Sequence, residues 1–389
     1  MANKIYILSG GSGAGKTVLL NAMLEKNPDT SITPQKYSDR EKRNQDDDIK
    51  TIAIDDFNKE DYTFVYSMNN NFYGFKAIDI IDCLKKGKNV FIIISDFRII
   101  EEIKKHFGSL VTVIYIFRNM SERELNKILE TRNKQNEDVN RQTDISKDTE
   151  NKIRKNRLYS IQKQYVENIA LFDHVILNRT NKQEEMYEQL KNIVDAYSKG
   201  QIIPRPKGSV IFLIAAASGA GKRTLMHAMY TMGKRTIKVI QKSTNRIAQE
   251  DDGPEIIPNT IIDEKFDIHY EFNTNQYGIK SDEIWDNLAK GYPQIVITNM
   301  DEFKQFTKIF GQAAVGVYLH ATRTQKEIFE LQKKKLKSDE KARKKVQKME
   351  EIHNGYINHI AEFKHVLLNT IEKEDLGMQM LNLIRYYQE

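Results

Sequence analysis

Short runs of apolar residues recur along the chain, and each is followed by a segment in which apolar residues have helical spacing. Examples of the runs are Ile5–Leu8, Val90–Ile94 and Thr112–Ile116. Nearly continuous apolar strands that alternate with helices are typical of a parallel sheet covered by helices on both faces. The pattern therefore predicts an α/β fold built around parallel sheets.

The same pattern occurs twice. Asn71-Phe72-Tyr73-Gly74 is matched by Asn275-Gln276-Tyr277-Gly278, and a run beginning at Phe172 is matched by one beginning at Phe363. The repeat offset is 206 residues at Lys16, 203 at Gly108 and 191 at Asn178, so the charged helical region before Asn178 is 12 residues shorter in the second copy. Residues 199–209 are rich in glycine and proline and predict a linker. We therefore expect domains at residues 1–198 and 210–389.

A glycine-rich segment follows the first apolar run and precedes a helical pattern. It reads Gly10-Gly11-Ser12-Gly13-Ala14-Gly15-Lys16-Thr17. Glycines between a strand and a helix let backbone N–H groups surround phosphate oxygens, and the helix directs its positive end at the same anion. The motif predicts a P-loop in which Lys16 reaches the outer phosphates of ATP and Thr17 holds Mg²⁺.

The second copy carries an altered version of this loop, Ala216–Leu225. Ala216 stands where the first copy has a glycine, and Arg223 stands where it has Thr17, while Lys222 is retained. Because a guanidinium cannot act as a metal ligand, the second loop predicts an anion site with little ability to hold Mg²⁺.

The composition is typical of a globular protein rather than a membrane or disulfide-rich one. The chain has 40% hydrophobic and 29% charged residues, as an ordinary globular protein does, and a net charge of +6. Its apolar runs fall short of the ~18 residues that a membrane-spanning helix needs. The single cysteine, Cys83, cannot form an internal disulfide and favours a cytoplasmic location.

The ordered set of motifs resembles the guanylate kinase family, whose members have a P-loop kinase fold with a helical lid. Ser38-Asp39-Arg40-Glu41-Lys42-Arg43 resembles the family element whose two arginines bind the acceptor phosphate. The resemblance implies that Arg40 and Arg43 bind this phosphate, with Tyr73 of the Asn-x-Tyr-Gly motif adding a hydrogen bond. Guanidinium groups suit this role because they donate two hydrogen bonds at once.

The resemblance also implies three further catalytic residues beside Lys16. Asp96 ends the strand predicted at Val90–Ile94 and corresponds to a carboxylate near the metal, although it could also cap a helix. Arg132 and Arg157 fall where lid arginines contact the donor, with Arg154 as the alternative to Arg157. The implied cofactors are ATP and Mg²⁺, the latter held by Thr17 and Asp96.

Two positions depart from the family in the acceptor region. Where the family reads guanine with a glutamate and a serine, this chain has Phe64 and Lys76. Guanine specificity is therefore in doubt. The ribose 1,5-bisphosphate kinase branch has no base to read, and Asp96-Phe97-Arg98 resembles its arginine after the strand.

The second copy departs further. Asn299 stands at the position of Asp96, Gln249 at that of Arg43, and lysines at those of the lid arginines. Metal ligand and phosphate-binding groups are thus altered together, and without the metal much of the catalysis of phosphoryl transfer is lost. We expect the second domain to be a degenerate, inactive kinase domain.

The leading hypothesis is a kinase that moves the γ-phosphoryl group of ATP to a nucleoside monophosphate or another phosphate-bearing small molecule. The alternative is a non-catalytic guanylate kinase-like binding or scaffold protein, since a fold does not fix a function. Nucleic-acid binding by the lysine-rich segments at 333–337 and 341–345 is disfavoured, because such runs are usually solvated helix faces. Oligomerisation is left open.

Overall fold

The structure is a computed structural model that describes most of the chain. The described residues are 3–11, 13–40, 49–68, 71–118, 163–179, 183–202, 205–217, 219–232, 237–249, 252–263, 265–272, 274–321, 325–369 and 373–389. The chain divides into two compact units, the first formed by Met1–Tyr165 with Leu171–Gly200 and the second by Val166–Ala170 with Gln201–Glu389.

The first unit contains a parallel five-stranded sheet in the order β2-β7-β1-β8-β9 and a mixed four-stranded sheet in the order β4-β3-β6-β5. The strands are β1 (Ile5–Gly10), β2 (Ser31–Ile32), β3 (Lys36–Ser38), β4 (Ile49–Thr51), β5 (Phe64–Met68), β6 (Asn71–Phe75), β7 (Asn89–Ile93), β8 (Val111–Arg118) and β9 (His174–Asn178). The helices are α1 (Lys16–Lys26), α2 (Ala77–Lys85), α3 (Phe97–Phe107) and α4 (Gln183–Ser198).

Strand β1 lies at the centre of the parallel sheet, and all six of its residues are buried. It pairs with β7 on one side and β8 on the other, which places the carboxyl ends of all three strands at one edge. The apolar face of α3, formed by Ile99, Ile100 and Ile103, is buried. Burial of all its residues thus fixes the strand whose end carries the glycine-rich loop.

The four-stranded sheet is built around the hairpin of β5 and β6, and β3 pairs antiparallel with β6. The glycine of Asn-x-Tyr-Gly has a packing role here. A Cβ on Gly74 would lie 2.5 Å from Cγ of Tyr62, so the ring of Tyr62 needs the bare backbone. Gly278 meets the ring of Phe266 in the same way in the second unit, at 2.6 Å.

The second unit has the same two sheets, in the orders β11-β16-β10-β17-β18 and β13-β12-β15-β14. Its strands are β10 (Ile211–Ala216), β11 (Lys238–Val239), β12 (Lys242–Thr244), β13 (Ile256–Ile257), β14 (Ile268–Phe272), β15 (Asn275–Ile279), β16 (Gln294–Thr298), β17 (Ala314–Ala321) and β18 (Phe363–Asn369). Its helices are α5 (Lys222–Met232), α6 (Asp282–Ala289), α7 (Met300–Phe310), α8 (Gln325–Leu336), α9 (Asp339–Asn358) and α10 (Lys373–Gln388).

The predicted fold class is confirmed, since each unit is a parallel sheet flanked by helices. The apolar runs account for this result because parallel strands are buried on both faces. The predicted linker at residues 199–209 and the domain boundaries stay predictions. Among the described residues, no helix is long and apolar enough to cross a membrane.

Candidate functional site

The first glycine-rich loop connects the buried end of β1 to the first turn of α1. Gly15 precedes the helix with φ 101°, a left-handed conformation that side chains disfavour. A Cβ at Gly15 would also lie 2.9 Å from Nδ2 of Asn178. Backbone geometry and crowding therefore both require glycine at this point, directly before Lys16.

Lys16 lies at the centre of this loop. Its Nζ donates hydrogen bonds to the carbonyl oxygens of Gly10 and Gly11, at 2.8 and 2.9 Å. Thr17 follows it in the first turn of α1 and is half-buried. A loop with this lysine and helix start can bind phosphate oxygens, and the hydroxyl of Thr17 is a hard oxygen ligand of the kind that Mg²⁺ accepts.

Two side chains from neighbouring strands hold the loop and were not predicted from the sequence. Asn178 donates from Nδ2 to the carbonyl of Ala14 at 2.7 Å, and Arg118 donates from Nη1 to the carbonyl of Gly13 at 3.2 Å. Both residues end strands of the parallel sheet. The repeat contained a clue for Asn178, because Asn369 stands at its place in the second copy.

Arg40 and Tyr73, both predicted to bind the acceptor phosphate, lie together beside the four-stranded sheet. The guanidinium carbon of Arg40 is 5.9 Å from the centroid of the Tyr73 ring. Ser38 positions this segment, since its Oγ donates to the carbonyl of Phe72 and accepts from the N–H of Arg40. The segment is thereby attached to β6, the strand that carries Tyr73.

A third member of this cluster, Lys36, was missed. It is only 8% exposed, and its Nζ lies 5.1 Å from the centroid of the Tyr73 ring. Tyr66 stacks on the ring of Tyr73 at a centroid distance of 5.1 Å. We call Lys36, Arg40 and Tyr73 the cation–tyrosine cluster. The sequence clue was Lys242, which occupies the place of Lys36 in the second copy.

Asp96 lies directly before α3 and caps this helix. Its Oδ1 accepts a hydrogen bond from the N–H of Arg98 at 3.0 Å, and its Oδ2 accepts one from Nη2 of Arg98, also at 3.0 Å. The structure thus shows the capping role that the sequence allowed. The carboxylate is a ligand type that Mg²⁺ accepts, and the ion pair with the exposed Arg98 is weak enough to be exchanged.

Four predicted site residues lie outside the described residues: Ser12, Arg43, Arg132 and Arg157. In the described part of the chain, no group of three or more histidine, cysteine, aspartate or glutamate side chains could hold a metal ion.

The two departures from the guanine-reading pattern have different surroundings. Phe64 is 3% exposed and packs on His106 and Phe107, with ring centroids 5.6 and 6.2 Å away. Lys76 is half-buried, and its Nζ lies 5.3 Å from the ring centroid of Tyr37. Phe64 is therefore part of the core, whereas Lys76 presents a cation beside tyrosine rings.

The equivalent cations of the second unit are paired with carboxylates. Arg246, at the place of Arg40, forms a bidentate ion pair with Asp252, and its Nε donates to the hydroxyl of Tyr277 at 3.2 Å. Lys242, at the place of Lys36, forms a buried ion pair with Glu302. These contacts raise the pKa of Arg246 and, through the hydrogen bond from Arg246, lower that of Asp252.

Fold and loop together define an α/β P-loop protein with two parallel-sheet domains. No family model matches the chain. Guanylate kinase of Vibrio parahaemolyticus serotype O3:K6 (strain RIMD 2210633) is 32% identical over a 96-residue alignment that covers 23% of this chain and 46% of the relative. The chain thus spans less than half of this relative's length.

The solved structure of guanylate kinase from Anaplasma phagocytophilum matches with a TM-score of 0.34 and 15% identity, covering 47% of this chain and 87% of that one. The sequence similarity to the Vibrio protein supports a guanylate kinase-like P-loop fold.

Proposed function

We propose that the first unit transfers the γ-phosphoryl group of ATP to a small molecule that already carries a phosphate. The observation that carries this proposal is the presence of two anion-binding features in one unit. The first is the glycine-rich loop around Lys16, and the second is the cation–tyrosine cluster. A kinase that joins two phosphate groups needs one site of each kind.

Lys16 would exchange the carbonyl oxygens of Gly10 and Gly11 for the outer phosphates of ATP. An oxygen of the acceptor phosphate then forms a bond to the γ-phosphorus, while the bond to the bridging oxygen breaks and ADP leaves. Mg²⁺, when held by Thr17 and Asp96, supplies neutralisation of charge on the donor phosphates. Positioning and charge neutralisation account for most catalysis of this type. Arg132 and Arg157 are assigned to the lid by resemblance.

The acceptor is defined by its phosphate more than by a base. Arg40 and Lys36 offer charged donors to a phosphate, whereas the buried Phe64 offers no acceptor to the N–H groups of guanine. A pocket without a dedicated hydrogen-bond partner discriminates weakly between bases. We therefore include nucleoside monophosphates and phosphorylated sugars in the proposed substrate class.

ADP release by the full-length protein, measured with ATP–Mg²⁺ and a panel of acceptors, tests the proposal. The panel contains GMP, AMP, CMP, UMP and phosphorylated pentoses, with guanosine and ribose as matched acceptors that lack phosphate. We expect turnover only with phosphorylated acceptors, and a GMP preference well below the roughly thousandfold that a dedicated base-reading group would give. Equal turnover with guanosine would contradict the proposed role of the cation–tyrosine cluster.

A second candidate function is a non-catalytic binding module, which the replacement of a base-reading carboxylate by the buried Phe64 favours. This alternative predicts ATP binding without transfer to any acceptor. The same panel distinguishes the two functions, because only the kinase produces ADP in proportion to phosphorylated acceptor.

A further inference from the structure

The altered loop of the second unit has kept the geometry of the first. Nζ of Lys222 donates to the carbonyls of Ala216 and Ala217 at 2.9 and 3.2 Å, as Lys16 does to its own loop. Gly221 precedes the helix with φ 109°, close to the 101° of Gly15. The sequence changes at this loop have therefore left the contacts of its lysine and the left-handed conformation of the glycine before the helix unchanged.

The hydrogen bond from the last strand of the sheet to this loop is also preserved. Asn369 donates from Nδ2 to the carbonyl of Ala220 at 2.8 Å, and the corresponding distance from Asn178 to Ala14 in the first unit is 2.7 Å. The turn within each loop is closed by a backbone hydrogen bond of 3.2 Å, from Ala220 to Ala217 and from Ala14 to Gly11. Both units therefore have the asparagine hydrogen bond and the backbone turn that hold the glycine-rich loop in place.

The metal-binding side of the second loop has changed in charge. The exposed Arg223 follows Lys222, where the first unit has the hydroxyl of Thr17. Asn299 replaces Asp96, and its Oδ1 accepts hydrogen bonds from the N–H groups of Asp301 and Glu302, both at 2.9 Å. The hydroxyl has become a cation and the carboxylate has become a neutral amide, so the positions that would hold Mg²⁺ no longer suit it.

The α8–α9 hairpin brings two polar groups to this loop. A Cβ on Gly219 would lie 3.5 Å from Nε2 of Gln332, and Oε1 of Gln332 is buried without a hydrogen-bond partner in the described part of the chain. Lys345 of α9 is half-buried and interacts electrostatically with Lys222. Burial, followed by repulsion from Lys242 and Lys345, lowers the pKa of Lys222 to about 8.

Two cations of the second unit are balanced by carboxylates. Glu302 pairs with Lys242, and Asp252 pairs with Arg246 in the acceptor region. Lys222 instead donates to uncharged carbonyls. Lys222 and Lys345 thus bring positive charge to the loop, while Lys242 and Arg246 are paired with the protein's own carboxylates.

We propose that the loop of the second unit binds a chain of two or more phosphates without a divalent cation, with Lys345 supplying the positive charge that a metal would provide. The chemistry is shared by nucleoside triphosphates and free polyphosphate. Because Lys242 and Arg246 are already paired with carboxylates of the protein, the second unit binds this one ligand and does not transfer a phosphoryl group. The inference concerns the second unit and does not depend on the proposed activity of the first.

The test is calorimetric titration of the full-length Lys16→Ala protein with ATP and with tripolyphosphate in EDTA. We expect one binding event, weakened about tenfold or more by Lys222→Ala or Lys345→Ala, as loss of a charge-assisted contact predicts. Lys345→Arg, which keeps the positive charge, should bind as tightly as the protein with Lys345. Lys344→Ala is the matched control, because Lys344 is 73% exposed and pairs with Glu340 on the same helix.

Absence of binding in EDTA would overturn the proposal, provided that circular dichroism shows a folded protein. So would unchanged affinity in Lys345→Ala, which alters a half-buried helix position and so avoids the risk of unfolding that Lys222→Ala carries. Tightening by about tenfold or more on addition of Mg²⁺ would show that the site needs the metal after all. Similar affinities for ATP and tripolyphosphate would identify the phosphates alone as the ligand, and tighter binding of ATP would add a contribution from the nucleoside; both results support the proposal.

Discussion

At the scale of single residues, local and distant positions differ in how far the sequence could predict them. The residues of the first loop follow one another in the chain, so the pattern alone predicted Gly15 next to Lys16. Lys36 and Arg118 reach their sites only through sheet pairing and tertiary folding, and single-sequence patterns do not contain those contacts. Arg40 and Tyr73 were predicted through family resemblance, and the structure brings them together.

Replacing Arg40 with alanine should impair acceptor binding selectively. A charged bidentate contact to phosphate contributes about 1.5–3 kcal/mol, so KM for the acceptor should rise roughly tenfold or more while KM for ATP stays unchanged. Steady-state kinetics with the best acceptor measures both values. Lys85→Ala, at an exposed position in the same unit, is the control. A selective rise in KM for ATP would contradict the assignment of Arg40 to the acceptor.

In the second unit, Asp252→Asn should break the ion pair that occupies Arg246. Asp252 accepts two hydrogen bonds from Arg246 and one from the N–H of Gln249, so its carboxylate engages the guanidinium in the way an anionic ligand would. Removing its charge should allow inorganic phosphate to bind, with calorimetry as the measurement and Asp286→Asn, at an exposed helix position, as the control. If phosphate affinity is the same in both variants, Asp252 does not block an anion site.

Lys222 should make ligand binding by the second unit depend on pH. Its pKa of about 8 in the folded protein, next to Lys242 and Lys345, means that it is charged at pH 7 and mostly neutral at pH 9. Tripolyphosphate affinity in EDTA should therefore fall by up to about tenfold over this range, while Lys222→Arg should show no such fall.

The sign is opposite for stability without ligand. The pKa of Lys222 is lowered from 10.5 to about 8 on folding. Below about pH 8 the lysine is charged in the folded and the unfolded protein, and burying that charge lowers the stability of the fold. The cost is relieved as pH rises from 8 towards 10.5, and stability should increase over that window relative to Lys222→Met. A tripolyphosphate affinity that rises with pH would contradict the lowered pKa of Lys222. So would an equal change in stability with pH in the protein with Lys222 and in Lys222→Met.

At the scale of elements, the apolar runs predicted the strands closely. The predicted run Val90–Ile94 corresponds to β7 at Asn89–Ile93, and Thr112–Ile116 lies within β8. The role of the residue after β7 was harder to predict, because a carboxylate there can cap a helix or bind a metal. Asp96 and Asn299 both cap the following helix, so capping is common to the units while the charge is not.

Gly74→Ala should loosen the hairpin of β5 and β6. The added Cβ would meet the Tyr62 ring at 2.5 Å, and overpacking of this kind costs about 1–3 kcal/mol. Hydrogen exchange should become faster in peptides that cover this hairpin. Gly355→Ala in α9 is the control, since nothing lies within 4 Å of its Cβ and alanine favours a helix by about 0.5–1 kcal/mol. Unchanged exchange at the hairpin in Gly74→Ala would show that Tyr62 moves aside freely.

At the scale of the whole molecule, two units with the same strand order carry the same cations at equivalent positions of the acceptor region. In the first, Lys36 and Arg40 lie beside Tyr73; in the second, Lys242 and Arg246 are each paired with a carboxylate. The repeat and the fold class could be predicted because burial imposes the same apolar pattern on both copies. The pairing of the second unit's cations could not, because it depends on contacts between distant segments.

The central claim is that the first unit performs phosphoryl transfer and the second does not. The most direct measurement compares ADP release by the full-length protein with its Lys16→Ala and Lys222→Ala variants, using the best phosphorylated acceptor and ATP–Mg²⁺. We expect Lys16→Ala to abolish transfer, because its charge acts on the transferring group, and Lys222→Ala to retain most of it. Substantial activity in Lys16→Ala that is lost in Lys222→Ala would place catalysis in the second unit and contradict the account.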